Sequence, residues 1–109
     1  MHAVPDPLRL ELLKLLKVKP HMSQRELAKA MGVSLGKANY CLRALMQKGF
    51  VKLENFRRNP DKRQDAYLLT KTGMEEKTHI TMAFLRRKLG EHEALQKEIE
   101  NLRSDLNNG

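Results

Sequence analysis

The sequence contains one cysteine, and that scarcity excludes a good deal. Cys41 has no second thiol for an internal disulfide, and together with four scattered histidines it makes no recognisable zinc spacing. The expectation is a metal-free protein without cofactors that is at home in a reducing compartment. Long hydrophobic runs are missing too: the longest, AYLL at 66–69 and MAFL at 82–85, fall far short of the roughly 20 residues that span a bilayer. No membrane partner is predicted. The opening MHAVPDP lacks a charged segment followed by an apolar stretch, so no secretory signal is legible and the expected location is the cytoplasm. No glycine-rich phosphate loop occurs, and no nucleophile, base and orienting group fall together, so an enzyme is not expected.

What is present is charge, and it is polarised. The chain of 109 residues has 40% hydrophobic and 31% charged content, with 21 Lys and Arg against 13 Asp and Glu, a net +8. Residues 1–70 hold 14 basic and 6 acidic side chains, whereas residues 71–109 hold 7 of each, so the whole excess lies in the first part. A concentrated positive field on a small domain attracts polyanions, of which nucleic acid is the commonest.

The pattern of the chain gives that field a frame. Asp6-Pro7 reads as a helix start, Asp6 accepting from free backbone amides, and six of the nine residues 8–16 are leucine, which predicts a helix packed on two sides and stopped by Pro20. Ser23 and Glu26 form a capping box, flanked by Met22 and Leu27 as a hydrophobic staple, and open a second helix that closes at Gly32. After the tight Gly32-Val33-Ser34 turn, Ser34 caps a third helix, in which Ala38, Leu42 and Leu45 repeat at helical spacing up to Gly49. Two short helices joined by a glycine turn make a helix-turn-helix.

The period then becomes alternating, with Val51, Leu53, Tyr67 and Leu69 as inward positions of two strands. Between them Asn59-Pro60-Asp61 is a turn signal, flanked by Arg57, Arg58, Lys62 and Arg63. Such a basic hairpin after a helix-turn-helix is a wing. Thr70 caps a long final helix along which Leu85, Leu89, His92, Leu95, Ile99, Leu102 and Leu106 form a seam with one three-residue slip near His92. The predicted partner of the seam is a second copy of the same helix, and Asn107-Asn108-Gly109 should fray. The fold class expected is mainly α with a small β-hairpin: a winged helix-turn-helix domain over residues 1–70 and a dimerisation helix over residues 71–109.

Three stretches carry a resemblance beyond the fold: SQRELAKAMGVSLGKANYCLRALMQKGFVK, AYLLTKTGMEEK and FLRRKLGEHEALQKEIENLR. Across residues 8–103 the chain resembles the small MarR-type winged-helix regulators associated with bacterial exopolysaccharide gene clusters, most specifically through SLGKANYCL at 34–42. The resemblance implies sequence-specific DNA binding as a homodimer and control of polysaccharide synthesis genes. Larger MarR proteins carry an extra N-terminal helix that helps form the dimer and a ligand cleft; this chain starts nearly at its first winged-helix helix, so an effector pocket of that kind is not predicted.

Residue assignments follow from the helical phase. With Ala38, Leu42 and Leu45 inward, Leu35, Gly36, Lys37, Asn39, Tyr40 and Arg43 face outward as base readers in a DNA major groove. Ser23, Gln24, Arg25 and Ser34 stand at helix starts as backbone contacts. Arg57, Arg58, Asn59, Lys62 and Arg63 form the wing. Leu85, Leu89, Leu95, Ile99, Leu102 and Leu106 form the dimer seam. Cys41, beside core Leu42, reads as packing, not as a redox switch. The expected partner is double-stranded DNA, with a protein-binding adaptor as the alternative.

Overall fold

The computed structural model describes residues 6–59 and 62–109, with the side chains of residues 56–59 and 62–64 left aside. The element order is α1 (Asp6–Val18), α2 (Gln24–Met31), α3 (Leu35–Gln47), β1 (Val51–Asn59), β2 (Lys62–Leu69) and α4 (Lys71–Asn108). The expected turn at Asn59-Pro60-Asp61 falls partly outside the described residues.

The leucine-rich α1 is the centre of the core. Leu10, Leu12, Leu13 and Leu16 are buried, Leu8 and Leu15 pack at the margin, and the helix touches α2, α3, β2 and α4. Full burial of a leucine side chain contributes about 1.5–3 kcal/mol, which makes α1 the main source of apolar stabilisation. Asp6 is the first residue of α1, and its carboxylate accepts from Arg9 at 2.6 Å. Arg9 also reaches Glu76 at 3.5 Å, tying α1 to α4.

Around α1 the caps lie where the sequence places them. Ser23 Oγ accepts from Glu26 N–H and Glu26 Oε1 accepts from Ser23 N–H, both at 3.1 Å, closing the capping box. Gly32 has φ +68°, the left-handed conformation that favours glycine, and its N–H donates to the Ala28 and Lys29 carbonyls. Ser34 Oγ accepts from Lys37 N–H at 3.1 Å, and Gly49 at φ +78° turns the chain so that Phe50 N–H donates to Leu45 O at 2.9 Å.

The two strands pair antiparallel, with Val51 opposite Leu69, Leu53 opposite Tyr67 and Arg57 opposite Arg63. Val51 and Tyr67 are buried as the alternation predicts, but Leu53 is 45% exposed and Ala66 is buried instead. Tyr67 N–H donates to Pro20 O at 3.0 Å, so β2 has the α1–α2 connection along its other edge and is covered on both faces there. That leaves β1 as the outer strand and Leu53 beyond the helices' cover.

The chain enters α4 through a tight junction. Thr70 Oγ1 accepts from Gly73 N–H at 3.0 Å and donates to Gly49 O at 2.5 Å, while Thr70 N–H donates to Phe50 O at 3.1 Å. A Cβ at Gly73 would fall inside van der Waals contact of that same Phe50 carbonyl, so the close approach requires glycine. Gly73 and Ile80 are buried and Phe84 packs against the core, so the first turns of α4 belong to the domain's packing although they lie past residue 70. Beyond Phe84 the helix stands free of the core. It continues through Asn108, and Gly109 N–H donates to Asp105 O, where Asn107, Asn108 and Gly109 were expected to fray. The long dimension of the molecule, 77 Å against 29 and 25 Å, follows this helix.

Candidate nucleic-acid interface

The surface of α3 follows from its buried side. Ala38, Cys41, Leu42 and Leu45 are inside, which leaves Leu35, Gly36, Lys37, Tyr40 and Arg43 exposed and Asn39 half-buried. The Ser34 cap aims the start of the helix outward, and the Gly32 turn sets α2 behind it. This is the arrangement in which a second helix can lie in a groove of a duplex while the first crosses its backbone.

Gly36 has no neighbour within 4 Å of where a Cβ would stand and no positive φ. Nothing in the packing of the domain therefore asks for glycine, which weakens a helix by about 1 kcal/mol relative to alanine. By helical phase the space it leaves faces the same way as Tyr40 and Arg43.

Asn39 does not point out alone. Its Nδ2 donates to Gln24 Oε1 at 2.8 Å, and Gln24 Nε2 donates to Tyr67 Oη at 3.2 Å. The side chain of Gln24, expected from sequence as a backbone contact, thus joins α3 to β2. The sequence carries no short-range sign of this connection, because its members lie 15 and 43 residues apart.

At the start of α2 the capping carboxylate matters electrically. The Ser23 N–H and hydroxyl, with a smaller contribution from the charge of Lys19, hold Glu26 below the ordinary glutamate pKa. The anion satisfying this helix start is therefore Glu26's own, while Arg25 stays exposed beside it. Ser34 spends its oxygen on the Lys37 amide but remains exposed.

The wing is two strands whose backbone includes Arg57, Arg58, Asn59, Lys62 and Arg63, with a register shift between Arg57 and Asn59. The side chains of these five lie outside the described residues. Cys41 is fully buried, and burial raises its thiol above the ordinary value against a smaller opposing effect of the Lys37 charge. That is the setting of an inert thiol.

On α4, Leu85, Leu89, Leu95, Ile99, Leu102 and Leu106 are all exposed, joined by Met82 one turn earlier. Among the described residues no helix is long and apolar enough to cross a membrane, and no group of three or more His, Cys, Asp or Glu is placed to hold a metal ion.

Together the elements make a winged helix-turn-helix with a long helix after it. A family described as winged helix-turn-helix DNA-binding matches residues 5–52, that is, α1 to the start of β1. No curated protein gives a significant match to the sequence. Among solved structures, a transcriptional regulator homologue from Pyrococcus horikoshii OT3 superposes with a TM-score of 0.62 at 21% identity, covering 77% of this chain and 82% of its own. The F27L mutant of S. aureus MepR bound to an oligodeoxyribonucleotide gives 0.61 at 18%, covering 91% and 78%. A MarR/EmrR family transcriptional regulator from Acinetobacter sp. ADP1 gives 0.60 at 16%, covering 93% and 75%. At these identities the shared property is the fold.

Proposed function

We propose that this chain is a transcriptional regulator that binds a pseudo-palindromic operator in double-stranded DNA as a homodimer. The observation that carries the reading is the outward face of α3. It gathers Lys37, Asn39, Tyr40 and Arg43 around a glycine that the fold does not need, at the front of a domain that holds the whole net charge of the chain. Arginine and lysine suit guanine, and asparagine suits adenine. The register of the wing adds to this: it sets two arginine positions opposite each other, and like charges so placed destabilise a ladder unless an anion sits between them.

Dimerisation is supported by the row of exposed leucines on α4 and by the charge of that helix. Residues 71–109 hold 7 basic and 7 acidic side chains, so two copies do not repel, whereas the seam exposes more apolar surface than a helix in water keeps without a partner. Two-fold symmetry then sets half-sites about one helical turn, roughly 34–36 Å, apart. The resemblance in SLGKANYCL supports exopolysaccharide genes as the regulated set.

The test begins with selection of duplexes from a random-sequence pool, followed by fluorescence anisotropy on selected and scrambled duplexes. The expected result is a consensus with dyad symmetry, and an Asn39→Ala protein that loses the selected duplex far more than the scrambled one. Failure of the wild-type protein to enrich any sequence would overturn the reading in favour of a protein-binding adaptor. Capture of genomic fragments by the same protein tests the gene assignment, which requires bound sites beside polysaccharide synthesis genes.

A further inference from the structure

Three side chains from three elements meet behind the outward face of α3. Asn39 donates from Nδ2 to Gln24 Oε1, and Gln24 donates from Nε2 to Tyr67 Oη. Tyr67 is the fixed end of this chain: it is 5% exposed, its ring is part of the hydrophobic core, and its N–H is bonded to Pro20 O. Gln24 and Asn39 are half-buried, at the boundary between that core and the exposed face.

A carboxamide carries one acceptor oxygen and two N–H donors, and a half-turn about its last torsion exchanges their places. To pair with adenine in the major groove, it must offer the oxygen to N6–H2 and an N–H to N7, in that order across the base edge. A freely rotating asparagine spends part of its time reversed. Here the bond to Gln24 takes one Nδ2 hydrogen and leaves Oδ1 with the other hydrogen, the pair that adenine requires. Gln24 stands in the matching orientation, with its nitrogen toward the Tyr67 hydroxyl, which here accepts.

We propose that Gln24, anchored by Tyr67, is a positioning residue that holds the Asn39 carboxamide in the orientation that reads adenine. This rests on α3 being the base-reading helix. The root of the wing thereby takes part in specificity through a residue that need not touch DNA, since Tyr67 belongs to β2.

The test repeats the random-duplex selection with the wild-type protein and with Asn39→Ala, Gln24→Ala, Gln24→Glu and Tyr67→Phe, each checked for folding by circular dichroism. Asn39→Ala should lose about tenfold or more of the preference for adenine at one position of each half-site. Gln24→Ala should lose most of that preference at the same position and little elsewhere, and Tyr67→Phe a smaller part. Gln24→Glu should keep it, because a carboxylate accepts both from Asn39 Nδ2 and from the Tyr67 hydroxyl; its added charge lowers affinity for all duplexes without changing the base preferred. Loss of adenine preference in Gln24→Glu equal to that in Gln24→Ala would overturn the assigned orientation. Retention of full preference in Gln24→Ala, with the wild-type protein enriching a consensus, would overturn the inference and leave the DNA-binding reading standing. Enrichment of no sequence by the wild-type protein would remove both. A readout without DNA is available in the side-chain amide resonances of Asn39. They should exchange with water more slowly than those of exposed asparagines, and Gln24→Ala should abolish the difference; fast exchange in the wild-type protein would overturn the network itself.

Discussion

At the scale of single residues, two positions separate folding from binding. Gly36 occupies the second position of α3 with open space around it, so alanine there is compatible with the fold and raises helix stability by about 1 kcal/mol. If the space is kept for a duplex, Gly36→Ala should raise the melting temperature while weakening binding to a selected duplex. A variant that is both more stable and equally tight would show that the glycine is incidental. Cys41 gives the opposite case, a residue with structural work only. Its thiol is raised in the folded state, so the neutral form is favoured; the resulting stability is fully present below the unfolded-state pKa, about 8.5, and is lost as pH rises through the raised folded value. Denaturation midpoints should therefore fall across alkaline pH in the wild-type protein and less so in Cys41→Ala. Peroxide at neutral pH should leave DNA binding unchanged.

At the scale of elements, the junction between hairpin and last helix and the wing each make a distinct claim. Gly73 lies against the Phe50 carbonyl, a backbone atom that cannot step aside as a flexible side chain would. Gly73→Ala should cost at least about 1–3 kcal/mol by overpacking, despite alanine's better helix propensity, and chemical denaturation measures it. The sign is opposite to that at Gly36, although both glycines stand in first turns of helices. For the wing, replacing Arg57 and Arg58 together with alanine should weaken selected and scrambled duplexes alike. It should also flatten the dependence of log affinity on log salt by about 0.9 per phosphate contact removed. A loss confined to the selected duplex would mean that the wing reads sequence, through an arginine in the minor groove.

At the scale of the whole molecule, the decisive quantity is what covers α4. Between Leu85 and Leu106 the helix rises about 32 Å with its leucines in solvent, and nothing of its own domain reaches them. Replacing Leu95 and Ile99 together with Glu should give a folded monomer with much weaker binding to a palindromic duplex, because the two half-sites then bind independently. Sedimentation measures the mass. A double mutant that still dimerises would place the dimer contact elsewhere, on α1 or the first turns of α4.

The elements, their caps and most of the core were legible in the sequence because each rests on contacts within a few residues. The Ser23 and Glu26 box, the Gly32 and Gly49 turns, the leucines of α1 and the Ala38, Leu42, Leu45 stripe all follow from local hydrogen bonding and helical period. The outward face of α3 was fixed in the same way, as the complement of that stripe. Where local rules misjudged burial, the reason was long-range. Leu53 alternates correctly yet is uncovered, since only the docking of Pro20 on β2 decides which strand is inner. Gln24 looked like a surface contact until β2 and α3 converged on it, and the need for glycine at position 73 arises only from the approach of Phe50, which no local pattern shows. Periodicity says which side of an element is apolar. Which neighbour a polar or glycine position meets is settled only when segments distant in the chain pack together, because those contacts have no period to betray them.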